Sequence, residues 1–430
     1  MYKKMVSIWC ITYNQVEYIR DALEGFLKQK TNFSYEVFVY DDASTDGTSE
    51  VLLEYQKNYP DIFRLYISDR NRWKDKDRRD FLYKLKVDNL DAKYIAMCEG
   101  DDYWTDENKL QVQVDYMESH PECSMYIHNS LWLDCTTNTI NAANTFDIAD
   151  EGDINVDDII IQKKLHPATA SFMFKRELYD SPIFFFKASV SDYPLLLCAA
   201  ANGKIHYNSK AMSVYRFKSN GSYNSMLVSK FEMQTYYYLG LIDFLICYNN
   251  YTKSKYKSSV YIKLLSVVNC YIRACTRHEM DVKTSYKMCL NEGYDIEHIS
   301  NELLDKLNSL YLSETSQYIS DEVKIFVSKY KNIVVMGTGV YSDILTQKLL
   351  NSNVDFAGYA KTSVDSEEKH NGKSVWKLSE IPYEKSCVGI LVGILIIDKN
   401  DIINSLKNSH IDNYLMPFDY EESIMELLKL

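Results

Sequence analysis

The sequence predicts an α/β protein: a Rossmann-like domain with a mainly parallel sheet, then a helical region, then a small second Rossmann-like unit. Three observations carry this. From the N-terminus to about residue 225, short apolar strands alternate with segments of helical period, the pattern of βαβ units. Across residues 226–325 glycine and proline nearly vanish and long helical runs take over. At about residue 326 the α/β pattern returns, with a buried strand, a Gly337-Thr338-Gly339 turn and a new helix. The chain has 430 residues. At roughly 150 residues per domain this suits a division into 1–225, 226–325 and 326–430.

The elements follow in order. Val6, Ile8 and Cys10 alternate on a first strand. Asn14 and Glu17 then read as a capping box, with Val16, Ile19, Leu23, Phe26 and Leu27 at helical spacing behind them. Tyr35 to Tyr40 forms the second strand, and a polar loop from Asp41 to Thr48 leads into a helix carrying Val51, Leu52 and Tyr55. Pro60 stops that helix. Phe63 to Ile67 is the third strand, a charged stretch from Asp69 to Asp80 follows, and Tyr94 to Cys98 is the fourth strand. Helices are expected over Phe231 to Tyr248, Lys255 to Cys275 and Ser300 to Leu312. In the last unit, Asn332 to Met336, Val354 to Tyr359 and Val388 to Ile397 read as strands, and Tyr341 to Asn351 as a helix.

Composition narrows the function. Hydrophobic residues make up 46% and charged residues 25%, which excludes wholesale disorder and a collagen-like chain. The net charge of −12 argues against a nucleic-acid partner, because phosphate binding needs a basic footprint. Ten cysteines without a C-x-x-C pair give neither a zinc pattern nor a disulfide framework, so buried thiols are expected. The N-terminus runs straight into an alternating apolar strand with no secretory leader pattern. The longest apolar stretch, Val388 to Ile397, is about half of a membrane span. The expectation is a cytoplasmic protein, with contact at the inner face of a membrane left open.

Chemistry concentrates in Glu99-Gly100-Asp101-Asp102-Tyr103-Trp104, directly after a buried strand. Open α/β sheets bind ligands beyond the carboxyl ends of their strands. Carboxylates crowded there repel unless a cation or hydrogen bonds hold them, and hard oxygen donors suit Mg²⁺ or Mn²⁺. The plainer reading is an acidic turn before a helix, which accounts for Asp106 and Glu107. The second strand ends in Asp41-Asp42 and the first in Thr12-Tyr13-Asn14, so three polar loops are predicted on one sheet edge.

These three segments, Val6 to Asn14, Asp41 to Thr48 and Glu99 to Trp104, resemble family 2 glycosyltransferases of the GT-A fold. The resemblance covers roughly residues 5 to 220. It implies a nucleotide-sugar donor, most simply a UDP-sugar, with Thr12, Tyr13, Asn14 and Asp41 around the nucleotide. It implies that Glu99, Asp101 and Asp102 serve the donor, with Asp101 as the ligand of Mn²⁺ or Mg²⁺. Glu stands at 99 where Asp is usual, which suggests a ribose or water contact. Ser191-Asp192-Tyr193-Pro194-Leu195 resembles the segment that supplies the catalytic base, making Asp192 that base; its alternative role is as the cap of the next helix. Val214-Tyr215-Arg216 resembles a Tyr-Arg-x-His segment in which Lys218 replaces the histidine. Arg216 and Lys218 are then donor-binding residues, although Arg216 could equally brace its loop. The acceptor implied is a glycan or lipid-linked glycan of a surface polysaccharide, with room for peripheral membrane association and a homo-oligomer.

Rival readings are a nucleotidyltransferase, which lacks a glycine- and cation-rich loop near the first strand, and a non-catalytic nucleotide-sugar-binding scaffold. His166 reads as a satisfied loop or core histidine. The cation-rich segment from Arg70 to Arg79 reads as a solvated loop before it reads as a flap over the diphosphate. Gly337-Thr338-Gly339 resembles a dinucleotide turn with Ser342 at the third glycine position, but Lys361 stands where a ribose-binding carboxylate belongs. A degenerate or interaction role is expected for that unit.

Overall fold

The structure is a computed structural model describing residues 4–142, 146, 148–162, 166–181, 188–189, 191–217, 219, 227, 229–364, 368–393, 399–417 and 421–430. Contacts divide the chain into two compact units, Met1–Ala274 with Lys283–Asn301, and Cys275–Val282 with Glu302–Leu430.

The first unit opens with β1 (Lys4–Thr12), α1 (Ile19–Leu27), β2 (Tyr35–Asp41), α2 (Thr48–Asn58), β3 (Phe63–Ile67), α3 (Arg78–Asn89) and β4 (Ala92–Met97). It continues with β5 (Tyr103–Trp104), α4 (Lys109–Ser119), β6 (Cys123–Asp134), β7 (Thr139–Ala142), β8 (Glu151–Asp153), α5 (Val156–Ile161), β9 (Met173–Lys175), α6 (Asp192–Asn202) and β10 (Lys204–Phe217). The sheet order is β3-β2-β1-β4-β9-β6-β10-β5. β3, β2, β1 and β4 run parallel, as do β6 and β10, while β9 is antiparallel to both of its neighbours. The expected α/β class and mainly parallel sheet are what the chain forms.

Both sheet faces are covered, which is why the strands read as near-continuous apolar runs. Val6, Ile8, Cys10, Val37 and Val39 share one core with Ile19, Leu23 and Phe26 of α1 and Leu110 and Val114 of α4. Each such buried aliphatic or aromatic side chain is worth about 1.5–3 kcal/mol. The other face is aromatic: Trp9 stacks on Phe38 at 5.8 Å and on Tyr40 at 6.3 Å, and Phe81 of α3 lies 6.1 Å from Tyr40.

The start of α1 corrects the sequence reading. The helix begins at Ile19, and its N-cap Tyr18 makes no side-chain cap bond. Asn14 does not cap it, because its side chain accepts from the Thr45 backbone N–H at 2.8 Å and its backbone is left-handed (φ +50°). Loop-to-loop bonding outcompetes the local capping box.

α7 (Phe231–Tyr251), α8 (Lys257–Arg277) and α9 (Val282–Asn291) follow. Their aromatic and aliphatic residues are largely internal: Leu239, Phe244, Tyr248 and Tyr271 are fully buried. Ser189 donates to the Tyr237 carbonyl at 3.0 Å and Cys289 to the Glu232 carbonyl at 3.6 Å, so this part clusters with the first sheet.

The second unit holds α10 (Asn301–Thr315), α11 (Asp321–Val327), β11 (Asn332–Met336), α12 (Val340–Asn351), β12 (Gly358–Lys361), β13 (Glu368–His370), β14 (Lys373–Lys377), β15 (Val388–Val392), α13 (Lys399–Asn408), β16 (Tyr414–Leu415) and α14 (Glu421–Leu427). The strand order is β13-β14-β12-β11-β15-β16, parallel except for the edge strand β13. The strand predicted from Val354 starts only at Gly358, because Asn353 turns left-handed (φ +58°) and the chain needs residues 354–357 to reach the sheet. Of the Val388–Ile397 run, residues 394–397 lie outside the described residues. No disulfide joins the cysteines, six of which are buried. Among the described residues no helix is long and apolar enough to cross a membrane.

Lys109 is an unexpected core residue. It is fully buried on α4, over the Trp104 ring at 3.9 Å, and donates to Gln113 at 2.8 Å. Burial pushes its ammonium down to about 7. A lysine depressed in the folded state stabilises less as pH falls, because the unfolded chain holds the proton more tightly. Between about pH 7 and 9.5, urea denaturation should therefore show wild type gaining stability relative to Lys109→Met as pH rises. A constant gap would show that Lys109 stays charged in the core.

Candidate active site

Three loops leave the carboxyl edge of the parallel core side by side. Thr12 is in register with Asp41, and Trp9 with Met97. Beyond β4 the pairing continues loosely, with Cys98 N–H donating to the Trp9 carbonyl and Gly100 N–H to the Ile11 carbonyl at 2.9 Å. The convergence predicted for these loops is present.

The first two loops are laced together. The Asn14 N–H donates to Ser44 Oγ at 2.9 Å, Gln15 N–H to Thr48 Oγ1 at 2.9 Å, and Val16 N–H to Asp46 at 3.0 Å. Asp41 is fully buried and accepts from the Ser44 N–H, from the Ser44 hydroxyl at 2.5 Å and from the Ser49 hydroxyl. Its carboxylate thus holds the loop. Ala43 is left-handed (φ +62°), a conformation that costs a non-glycine residue energy and often marks a functional turn. Tyr13 stays 45% exposed, which leaves its ring available to a ligand.

The acidic loop is packed against these two. A Cβ on Gly100 would stand 2.6 Å from Gln15 Oε1, 2.7 Å from Thr12 Oγ1 and 2.8 Å from Thr12 Cβ, so only glycine fits. Thr12 Oγ1 donates to Gln15 Oε1 at 2.8 Å. Asp102 is buried and accepts from the Arg216 backbone N–H at 2.8 Å, while its other oxygen has no hydrogen-bond partner. Asp101 accepts from the Ser219 hydroxyl at 2.8 Å. Burial, then Asp101 and Asp192, holds the Glu99 carboxyl above the usual carboxylate range. Burial also raises Asp101, against the pull of Ser219 and Arg216. Burial, then Asp101 and Glu99, raises Asp102. The same negative field adds to burial in raising the Cys10 thiol on β1.

Arg216, at the end of β10, braces this loop. It donates to the Asp101 carbonyl at 2.7 Å and to the Asp21 carboxylate on α1. Its guanidinium also lies 4.9 Å from the Tyr18 ring and 4.6 Å from the Tyr103 ring. Lys218 lies outside the described residues.

Asp192 is the first residue of α6, after Ser191 as N-cap, and one oxygen accepts from the Tyr193 N–H at 2.8 Å. Its negative charge adds to the rise of the Glu99 carboxyl, after burial and Asp101. Its second oxygen lies 3.8 Å from His166 Nε2. Lys86 of α3 also faces this region, pulling Glu99 down while burial and Arg78 lower Lys86 to about 8. Nothing in the spacing of α3 singled out Lys86, and nothing marked Asp21 or Ser219 as partners of the acidic loop.

Part of the chain resembles known proteins. The family model described as Glycosyl transferase family 2 matches residues 7–180. Residues 7–180 are a family 2 glycosyltransferase domain. An uncharacterized protein of Mycobacterium tuberculosis is 34% identical over 225 residues, 51% of this chain and 61% of that protein. The chain thus spans about six-tenths of that relative's length. Abequosyltransferase RfbV of Salmonella typhimurium is 32% identical over 122 residues, 27% of this chain and 34% of its own. The dTDP-rhamnosyl transferase RfbG of Shigella flexneri is 28% identical over 104 residues, 24% and 35% of the two chains. Among solved structures, S. aureus TarS 1-349 in complex with UDP-GlcNAc is 16% identical, with a TM-score of 0.42, covering 74% of this chain and 95% of that one. Likeness at that level carries no argument.

Within the family 2 domain, the cation-rich segment is tied down. Arg70 and Arg72 pair with Asp75 at 2.8 and 3.3 Å, Lys74 with Glu292 at 3.2 Å, Lys76 with Glu297 at 2.5 Å, and Arg79 with Asp295. These cations are matched by carboxylates of the loop itself and of the segment after α9.

In the second unit, Gly337 takes the positive φ (+108°) that the turn needs. Ser342 packs against Gly393, where a Cβ would stand 2.7 Å from Ser342 Cα, so the third-glycine role of close helix–strand approach has moved across to Gly393. Lys361 pairs with Glu368 at 3.0 Å.

Gly100→Ala should leave the far-UV circular dichroism unchanged but lower stability by about 1–3 kcal/mol, because Thr12 and the acidic loop are forced apart. Urea denaturation of both proteins checks this. Equal stabilities would mean that the contact of Thr12 with Gly100 is not a close one.

Proposed function

We propose that this chain is an inverting glycosyltransferase that moves a sugar from a nucleotide-diphosphate sugar, a UDP-sugar in the first instance, to a hydroxyl of a glycan or lipid-linked glycan. The observation that carries this reading is the packing of the acidic loop against the Thr12 and Asp41 loops at the carboxyl edge of a family 2 domain. The sugar transfers named for two of the relatives support the reaction class. The acceptor, its place in surface polysaccharide assembly at the inner membrane face, and the choice of UDP follow from the family resemblance.

The residues fit a divalent metal. Asp102 keeps an orphaned carboxylate oxygen, and burial, then the charges of Asp101 and Glu99, pushes its carboxyl up, a frustration that a cation relieves. Among the described residues no three His, Cys, Asp or Glu side chains gather as a complete cage. That suits Mg²⁺ or Mn²⁺ held by one or two carboxylates together with substrate phosphates. Asp101 would hold it, and the metal would supply charge to steady the departing diphosphate.

The chain's own residues do the rest. Thr12, Tyr13, Asn14 and Asp41 form the nucleotide side of the cleft, with Asp41 setting the loop. Glu99 and Asp102 set the field on the metal side of the diphosphate, Arg216 braces the loop that carries them, and Lys218 is assigned to the donor by the family resemblance. Asp192 draws the proton from the acceptor hydroxyl as that oxygen attacks the anomeric carbon. The bond to the diphosphate breaks with its electron pair on the leaving phosphate, and the anomeric configuration inverts.

A panel of UDP-, dTDP- and GDP-sugars with Mn²⁺, read by release of free nucleoside diphosphate and by thermal shift, tests the reading. One donor should be hydrolysed slowly and should raise the melting temperature. Asp101→Asn and chelator should abolish both effects. Asp192→Asn should keep the thermal shift and lose turnover by roughly 10²- to 10⁴-fold. If no nucleotide with metal stabilises the protein, the non-catalytic scaffold replaces the enzyme.

A further inference from the structure

His166 was expected to be a satisfied loop histidine, and its geometry is different. It precedes the turn at Thr169–Ser171 that leads into β9, with its ring 6.4 Å from Phe172 and 6.3 Å from Tyr193. Its Nδ1 lies 2.8 Å from the Pro167 carbonyl oxygen. A carbonyl only accepts, so Nδ1 carries the proton, and in the neutral ring Nε2 is a bare acceptor. Nε2 is buried and has no hydrogen-bond partner among the described residues. It stands 3.8 Å from Asp192 Oδ2. Asp192 is held from the other side, with Oδ1 accepting from the Tyr193 N–H. An orphaned buried ring nitrogen costs stability, and its retention calls for a role.

We propose that His166 is a positioning residue for Asp192, taking onto Nε2 the proton that Asp192 draws from the acceptor hydroxyl. This rests on the reading of Asp192 as the base. The acceptor O–H bond breaks, its proton passes to the Asp192 carboxylate and on to Nε2, and the acceptor oxygen bonds the anomeric carbon. The diphosphate leaves with the electron pair of the broken glycosidic bond, and the imidazolium returns its proton to solvent after product release. Asp192 is thereby kept ionised. Among the described residues, the ionisable groups around the pair include Glu99 from the acidic loop with Lys86 of α3 facing it, Tyr237 from α7, Tyr193 from α6 and Lys263 of α8, which lies 5.5 Å from the Tyr193 ring.

Two substitutions separate this role from a structural one. His166→Asn keeps an N–H for the Pro167 carbonyl but has no atom at the Nε2 position, whereas His166→Ala loses both. Nucleoside diphosphate release from the donor panel should fall by roughly 10- to 100-fold in kcat for both variants, with donor KM unchanged and an altered pH–rate profile. A merely structural histidine would leave His166→Asn at the wild-type rate and pH profile, and that result overturns the proposal. Nitrogen-15 NMR of the histidine-labelled full chain gives a second readout that needs no turnover. It should show neutral His166 as the Nδ1–H tautomer, with the peak assigned by its loss in His166→Asn, and the opposite tautomer overturns the proposal. Asp192→Asn isolates the underlying reading. If it turns over like wild type, Asp192 is not the base. If it is inactive while His166→Asn is fully active, only the histidine inference falls.

Discussion

The structure of the first unit turns on the crowding of Glu99, Asp101 and Asp102 at the end of β4. A chain places three carboxyls beside a buried strand only against their mutual repulsion and the loss of water. Arg216 is the counterweight. Its backbone N–H holds Asp102, its guanidinium holds the Asp101 carbonyl and Asp21, and it lies 4.9 Å from the Tyr18 ring and 4.6 Å from the Tyr103 ring. The clamp positions the loop without cancelling its charge, since Asp102 keeps an unpartnered oxygen and all three carboxyls stay raised.

Much of the surrounding packing serves that loop. Gly25 lets α1 approach β5 closely, for a Cβ there would stand 3.0 Å from the Trp104 backbone. Trp104 in turn anchors the loop's far end, with its indole N–H donating to the Ala170 carbonyl at 2.9 Å and its ring 4.8 Å from Phe26. β5 pairs with β10 at Ser213 and Val214, two residues before Arg216. A fixed sheet edge, a glycine at 100 and a clamped arginine together hold the acidic loop in one preorganised geometry.

Sequence and structure diverge in instructive places. The parallel strands were legible because a strand buried on both faces has no polar alternation to blur it, and Phe63–Ile67 and Asn332–Met336 were read to the residue. β6 and β10 went unpredicted, although they form the longest pairing in the sheet. Their residues mix Ser, Asn and His into an apolar run, and only tertiary contacts bury these. The acidic loop and Asp192 were visible because like charges beside an apolar strand need an explanation. The partners of those residues were not: Asp21 looks like an ordinary first-turn acid, Ser219 like a loop serine, and His166 differs from a satisfied histidine only in where Nε2 points. The failed capping box at Asn14 has the same origin, since its competing donor lies 31 residues away at Thr45.

The central claim is that the carboxylates on the β4 loop await a divalent cation brought with a nucleoside diphosphate. Electron paramagnetic resonance of Mn²⁺ in solution with the full chain tests it most directly. The account predicts that the free-ion signal falls to a stoichiometry of about one Mn²⁺ per chain only when a nucleoside diphosphate is present, and that Asp101→Asn restores it. Mn²⁺ uptake that ignores both the nucleotide and Asp101, or no uptake with any nucleoside diphosphate, would contradict it.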